Sequence, residues 1–171
     1  MPGPLHGVRI IEVSEVISGP LAVMVLADQG ADVVKVEPPE GDVTRLWGRK
    51  AAGLSTYYVQ QNVGKQNISI DLRADEGPEL IRRLVEQADI VIENFRPGVM
   101  AKYGLEYDAL KQLKPDLVMV SISGFGQDGP ESGRAAYAAI LHGEAGAIDV
   151  SHGVQAAHDV SFSAADVLSG M

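Results

Sequence analysis

Val8-Arg-Ile-Ile-Glu-Val13 and Asp32-Val-Val-Lys-Val-Glu37, joined through Ser18-Gly-Pro20 and the run 21–29, decide the fold. Both segments are short and rich in β-branched residues. Gly7 and Ser14 bound the first, and Pro38-Pro39 ends the second, which is the pattern of buried strands. Between them, Pro20 suits the first turn of a helix, and Gly30 is placed to stop it as a C′ glycine. A strand, a helix and a second strand in this order make a β-α-β unit, so the two strands are expected to be parallel.

The alternation continues outward from this unit. Residues 40–53 read as irregular, and 56–63 as a helical turn. Residues 67–72 alternate as a strand does. Residues 74–88 carry Leu80, Ile81, Leu84 and Val85 on one helical face. Residues 89–93 form another buried strand, Pro97 opens a short helix, and 107–113 are helical up to the break at Pro115. Residues 117–123 are the last clear strand; a glycine-rich loop and an alanine-rich helix over about 135–148 follow. The fold class is therefore α/β, a Rossmann-like parallel sheet with flanking helices. A linker is expected near 150–157. The helical pattern from Asp159 is still running at Met171, which points to a fragment or one piece of a split protein.

Composition narrows the function. A chain of 171 residues, 46% hydrophobic and 22% charged, suits one domain with a real core. A net charge of -9 argues against a nucleic-acid binder and against a polybasic membrane surface. No cysteine is present, so disulfides, thiolate chemistry and cysteine-type zinc sites are out. The four histidines, His6, His142, His152 and His158, lack metal-ligand spacing. Neither a signal peptide nor a membrane span is visible, and a cytoplasmic protein is the expectation.

In open α/β sheets, ligands collect at the carboxyl ends of the strands. Four loops are expected there: 14–19, 38–47, 94–98 and 124–129. The last matches G-x-G-x-x-G, but Pro130, Glu131 and Gly133 follow it, so no helix starts where a pyrophosphate needs one. Asn94-Phe-Arg-Pro-Gly98 offers an amide, an aromatic face, a guanidinium and backbone N–H groups. That set suits a phosphate beside a purine, or else an Asn cap with a solvated Arg. Lys65 and Lys102 would add charge for a diphosphate, or are simply surface. His142 reads as a half-buried structural residue, with a general base as the alternative. Asp166 stands among Ala164, Ala165, Val167 and Leu168 at a helix start. It is either a desolvated oxygen nucleophile or an acid favoured by the helix dipole.

Taken together, several segments resemble family III CoA-transferases, the family of formyl-CoA transferase, carnitine CoA-transferase and α-methylacyl-CoA racemase. They are Gly7-Val-Arg-Ile-Ile-Glu-Val13, Ser18-Gly-Pro20, Leu26-Ala-Asp-Gln-Gly-Ala-Asp-Val-Val-Lys-Val-Glu37 and Gly41-Asp-Val-Thr-Arg45. Ile68-Ser-Ile-Asp-Leu72, Ala88-Asp-Ile-Val-Ile-Glu-Asn-Phe-Arg-Pro-Gly-Val-Met100, Ser121-Ile-Ser-Gly-Phe-Gly-Gln-Asp-Gly-Pro130 and Ala165-Asp-Val-Leu-Ser-Gly170 complete the set. The resemblance implies that residues 1–171 are the N-terminal part of the large, CoA-binding domain, with the small domain and a later glycine-rich loop missing.

It also implies a chemistry. Asp166 attacks an acyl-CoA thioester, passes through an acyl-aspartyl anhydride and an aspartyl-CoA thioester, and hands CoA to an acceptor carboxylate. Coenzyme A enters as the acyl-CoA substrate and no metal is needed. Ile17, Ser18, Gly64, Lys65, Asn94, Phe95, Arg96 and Lys102 should line the CoA site, and Tyr137 should face the reacting centre. The implied partners are an acyl-CoA, a carboxylic acid acceptor, and a second copy or a complementary C-terminal chain.

Three departures bear on this. Gly64-Lys-Gln-Asn67 replaces the family's usual Asn-Lys-Arg-Ser, and Pro38 stands where some members carry Arg. Tyr137 stands where the racemases carry a catalytic His, which favours transfer over epimerisation. The alternatives are an acyl-CoA racemase, with His142 as a displaced base, a CoA-binding module without catalysis, and a subunit of a split transferase.

Overall fold

The computed structural model describes residues 2–146 and 163–171. Strand β1 (Arg9–Val13), helix α1 (Ser18–Asp28) and strand β2 (Asp32–Glu37) form the expected β-α-β unit. Ile11 lies opposite Val34 and Glu12 opposite Lys35 in a parallel ladder. Pro20 sits in the first turn of α1, and Gly30 follows the helix with φ at 100°.

The chain then runs through a short 3-10 turn (Val43–Leu46), strands β3 (Lys50–Ala51) and β4 (Leu54–Ser55), helix α2 (Thr56–Asn62) and strand β5 (Gln66–Ser69). Helix α3 (Gly77–Val85), strand β6 (Ile90–Glu93), helices α4 (Val99–Lys102) and α5 (Tyr107–Leu113), and strand β7 (Val118–Ser121) follow. Helices α6 (Ala138–Glu144) and α7 (Ala164–Gly170) complete the described elements. The linker expected over 150–157, and residues 159–162 of the helical pattern expected up to Met171, lie outside the described residues; the described helix starts at Ala164.

Five strands form one parallel sheet in the order β5-β2-β1-β6-β7. Both faces are covered, as a parallel sheet requires. On one face Ile11, Val13, Val36 and Val91 pack against Ile81 and Val85 of α3, Met100 of α4 and Leu110 of α5. On the other, Ile10, Val33 and Ile92 pack against Val23 of α1. Adjacent residues such as Ile10 and Ile11 serve opposite layers because a strand turns successive side chains to opposite faces. Among the described residues no helix is long and apolar enough to cross a membrane.

Several elements differ from expectation. The β3–β4 hairpin begins inside the 40–53 stretch that reads as irregular and runs past it to Ser55. Its strands are two residues each, too short to show alternation, and its turn takes Ala52 and Gly53 through positive φ of 50° and 82°. That is a two-residue hairpin turn without the usual Asn or Asp signal. Helix α3 is shorter than 74–88: tight turns lead in from Asp71 and out through Ala88. Gly77 lies so close to the Asp71 carbonyl that a Cβ there would stand 2.0 Å from the oxygen. Helix α6 spans only Ala138–Glu144, where about 135–148 is expected.

Candidate active site

Leaving the C-terminal end of β1, the chain turns toward α1, whereas β6, its other neighbour, leads to the opposite layer. The two connections diverge there and open a crevice, the usual ligand position in such sheets. Asn94, just past β6, spans it. Its Oδ1 accepts from Glu15 N at 2.9 Å, and its Nδ2 donates to Glu15 O at 2.7 Å and to Ser18 Oγ at 3.3 Å. The amide thus holds the 14–19 loop as an added strand would. Glu93 does the same for Phe95, whose N–H donates to its carboxylate at 2.7 Å.

A buried charge cluster supports the loop from below. Lys35 Nζ, fully enclosed, donates to Glu12 Oε1 at 3.1 Å and to Ser14 O at 2.6 Å, and pairs with Asp42 Oδ2 at 3.2 Å. Asp42 accepts from Val16 N at 3.4 Å and binds Thr44 through its other oxygen. Val16 has φ of 70°, a conformation costing a β-branched residue on the order of 1–3 kcal/mol, and this network of buried partners holds it there.

Lys65 completes the cluster. Its Nζ lies 2.7 Å from Glu12 Oε2 and donates to Pro20 O at 2.8 Å and Asn62 Oδ1 at 3.1 Å. The Glu12 contact is an ion pair rather than a well-angled hydrogen bond, so that oxygen depends on the charge opposite it. Burial, partly offset by Glu12, lowers the Lys65 pKa to about 8. Expected to reach for a diphosphate, Lys65 instead turns into the protein, because Glu12 needs a second cation.

Helix α7 delivers Asp166. It packs on α1 through Gly170, where a Cβ would stand 2.7 Å from Ser18 O. That approach brings Asp166 to a cavity of about 290 Å³ lined by Glu15, Val16, Ser18, Asn94, Phe95, Gly124, Tyr137 and Leu141. Asp166 is half-buried; burial pushes its carboxyl above the ordinary carboxylate range, and the nearby His142 partly offsets this. No ion pair reaches it among the described residues. Tyr137 precedes α6 and is 75% exposed at the cavity.

A second cavity of about 220 Å³ adjoins the first and shares Glu15 and Phe95 with it. Val13, Val36, Pro38, Leu72, Val99 and Tyr103 give it an apolar lining, and Arg73, paired with Glu40 and Asp71, stands at its rim. All four loops expected at this edge therefore line one or both of these two adjoining cavities.

Of the expected site residues, the crevice gathers Ser18, Asn94, Phe95, Tyr137 and Asp166. Ile17 is buried at the N-terminus of α1, with its carbonyl accepting from Leu21, and lines neither cavity. Gly64, with φ of 80°, makes the turn after α2 that aims Lys65 inward. Arg96 and Lys102 are exposed and line neither cavity.

Three further residues bear on the site, Glu15 in its lining and Tyr57 and His142 behind it. Glu15 is half-buried; burial, then the charge of Asp42, raises its pKa. The Tyr57 hydroxyl is shifted upward by burial and then by the charge of Asp166, and its ring lies 5.7 Å from that of Trp47. His142 is buried, and its Nε2 accepts from Ala165 N at 3.1 Å. None of the three carries a local motif; their relevance comes from neighbours far away in sequence. Among the described residues no cluster of His, Asp or Glu is arranged to hold a metal ion.

The sequence profile described as CoA-transferase family III matches residues 5–171. A succinate–glutarate CoA-transferase from Agrobacterium fabrum is 48% identical over 156 residues, covering 86% of this chain and 39% of that protein. The human succinyl-CoA:glutarate CoA-transferase is 39% identical over 150 residues, covering 86% of this chain and 34% of that protein. A CaiB/BaiF family protein from Brucella suis superimposes with a TM-score of 0.93 at 41% identity, covering 99% of this chain and 47% of the other. The chain thus spans less than half the length of these relatives. With a profile match that runs from residue 5 to the last residue, and identities far above what a shared fold alone requires, the chain belongs to CoA-transferase family III.

Proposed function

We propose that the chain carries the nucleophile and part of the CoA site of an acyl-CoA:carboxylate CoA-transferase, with Asp166 as the acyl carrier. The observation that carries this reading is a half-buried carboxylate, free of ion pairs among the described residues, at the crevice where such sheets bind ligands. An Asp166 oxygen attacks the thioester carbon of the donor; the C–S bond breaks, CoA leaves as the thiolate, and a mixed anhydride remains. The thiolate attacks the Asp166 carbonyl carbon, the anhydride C–O bond breaks, and the donor acid departs from an aspartyl-CoA thioester. An acceptor carboxylate then runs the two steps in reverse. Each exchange is between activated acyl species, which is what covalent catalysis contributes here.

The surrounding groups suit these roles. The apolar second cavity, with Phe95 in its lining, takes the non-ionic parts of CoA, and the exposed Arg96 and Lys102, next in the chain to Phe95 and Tyr103 of that lining, would meet its phosphates. Tyr137 stands at the mouth beside the reacting carbon. Several relatives are named for succinyl-CoA with glutarate, citramalate or malate and one for acetyl-CoA with oxalate, so a dicarboxylic acceptor, with succinyl-CoA as donor, is the class to test first. A relative from Chloroflexus aurantiacus is named as an alpha subunit, in keeping with a complementary chain; a second copy of the chain is the other arrangement.

The test uses the polypeptide assembled to the length of its relatives. Incubation with succinyl-CoA and hydroxylamine should give a hydroxamate at Asp166 by mass spectrometry. In Asp166→Asn the adduct should be absent, and acyl exchange should fall by at least about 10³-fold. Exchange that persists in Asp166→Asn, or an adduct on another residue, would overturn the proposal.

A further inference from the structure

Helix α7 begins without a side-chain cap of its own: Ser163, at the N-cap, bonds none of the first-turn N–H groups. Those groups have no partner inside a helix and need one when buried. His142 supplies it from α6, since its Nε2 accepts from the N–H of Ala165, the residue immediately before Asp166, at 3.1 Å. The imidazole is 4% exposed and does not line the cavity, although its neighbour Leu141 does. Accepting from an amide requires Nε2 to keep its lone pair, so the same nitrogen is not available to take a proton from a substrate. Helix α6 starts at the cavity with Tyr137. The His142–Ala165 bond therefore joins the helix that presents Tyr137 to the helix that presents Asp166.

We infer that His142 is a positioning residue, which through Ala165 N–H holds the first turn of α7 so that Asp166 faces the crevice in attacking geometry. This rests on Asp166 being the acyl carrier. A displacement near 1 Å at a nucleophile costs on the order of 10²-fold in rate. The effect should fall on the chemical step rather than on acyl-CoA binding, because His142 touches neither cavity.

The experiment again uses the assembled polypeptide. His142→Leu, of similar bulk but without an acceptor, should lower kcat by about 10- to 100-fold with KM for acyl-CoA changed less than about threefold. His142→Gln, whose amide oxygen can accept from Ala165 N–H, should recover most of that loss. Equal kcat in both variants, or a change confined to KM, would overturn the inference. Should His142→Leu fail to fold, hydrogen exchange at the Ala165 amide of the wild type decides instead. A protected N–H is expected, and exchange at the rate of an unbonded amide overturns the inference. Hydroxamate trapping in the wild type separates this outcome from the underlying reading. If Asp166 itself is not labelled, the nucleophile assignment has failed; if it is labelled but His142→Leu reacts as fast as wild type, only the positioning role has.

Discussion

Glu37 shows how one carboxylate is held at the end of a strand. Burial pushes its pKa up, but hydrogen bonds from Arg45 at 2.6 and 2.9 Å, Tyr58 at 2.5 Å and the Asp42 N–H outweigh that and bring it to about 2. A carboxylate depressed in the folded state stabilises fully above its unfolded pKa, and that contribution is lost as pH falls through the folded one. The window here runs from about 4.5 down to about 2. Glu37→Gln is expected to cost about 2–4 kcal/mol at neutral pH in urea denaturation, and much less near the bottom of that window. Lys65 works in the opposite sense. It gives up its proton near pH 8 when folded and only near 10.5 when unfolded, so the cost of burying its charge is relieved as pH rises between those values. Lys65→Met should leave Glu12 without its second cation and lower the denaturation free energy by about 3–5 kcal/mol. If instead stability held and only KM for acyl-CoA rose, Lys65 would belong to the ligand after all.

Packing between helices decides whether Asp166 reaches the crevice. Helix α7 lies against α1 because Gly170 has no side chain where Ser18 O and Leu21 approach. Gly170→Val should push α7 outward, costing about 1–3 kcal/mol of stability and at least tenfold in hydroxamate trapping at Asp166. Normal trapping with unchanged stability would show that α7 has another support. How much of each element could be read from the chain depended on length and periodicity. The first β-α-β unit is legible because its strands carry continuous β-branched runs and Gly30 ends the helix. The β3–β4 hairpin is not, since two-residue strands have no period and Ala52 is an unusual residue at positive φ. Strand β5 ends at Ser69 rather than Leu72. It is an exposed edge strand, and beyond Ser69 the Ile70 side chain goes to the core while the chain leaves the ladder.

On the scale of the whole molecule, apolar side chains remain on the surface around the hairpin and α2. Leu46 is 74% exposed and Leu54 55%, with Trp47, Val59 and Val63 close by in the chain. A patch of this kind usually belongs to an interface. In the assembled polypeptide, Leu46→Lys with Leu54→Lys should shift sedimentation velocity toward the unassociated species by at least tenfold in apparent Kd, while the melting temperature of the isolated chain stays within about 2 °C. Unchanged association would place the contact surface elsewhere.

By itself the sequence determined the alternation of strands and helices, the parallel sense of the sheet, the loops that share one edge, and the family. Each of these is a local pattern or an ordered series of local patterns. Only the tertiary structure decided the strand order β5-β2-β1-β6-β7, which puts the crevice between β1 and β6. It also turned Lys65 onto Glu12, brought Asn94 across to Glu15, and set His142 under Ala165. The physical reason is that buried polar groups must find partners, and those partners are supplied by segments distant in the chain, so no local spacing announces them.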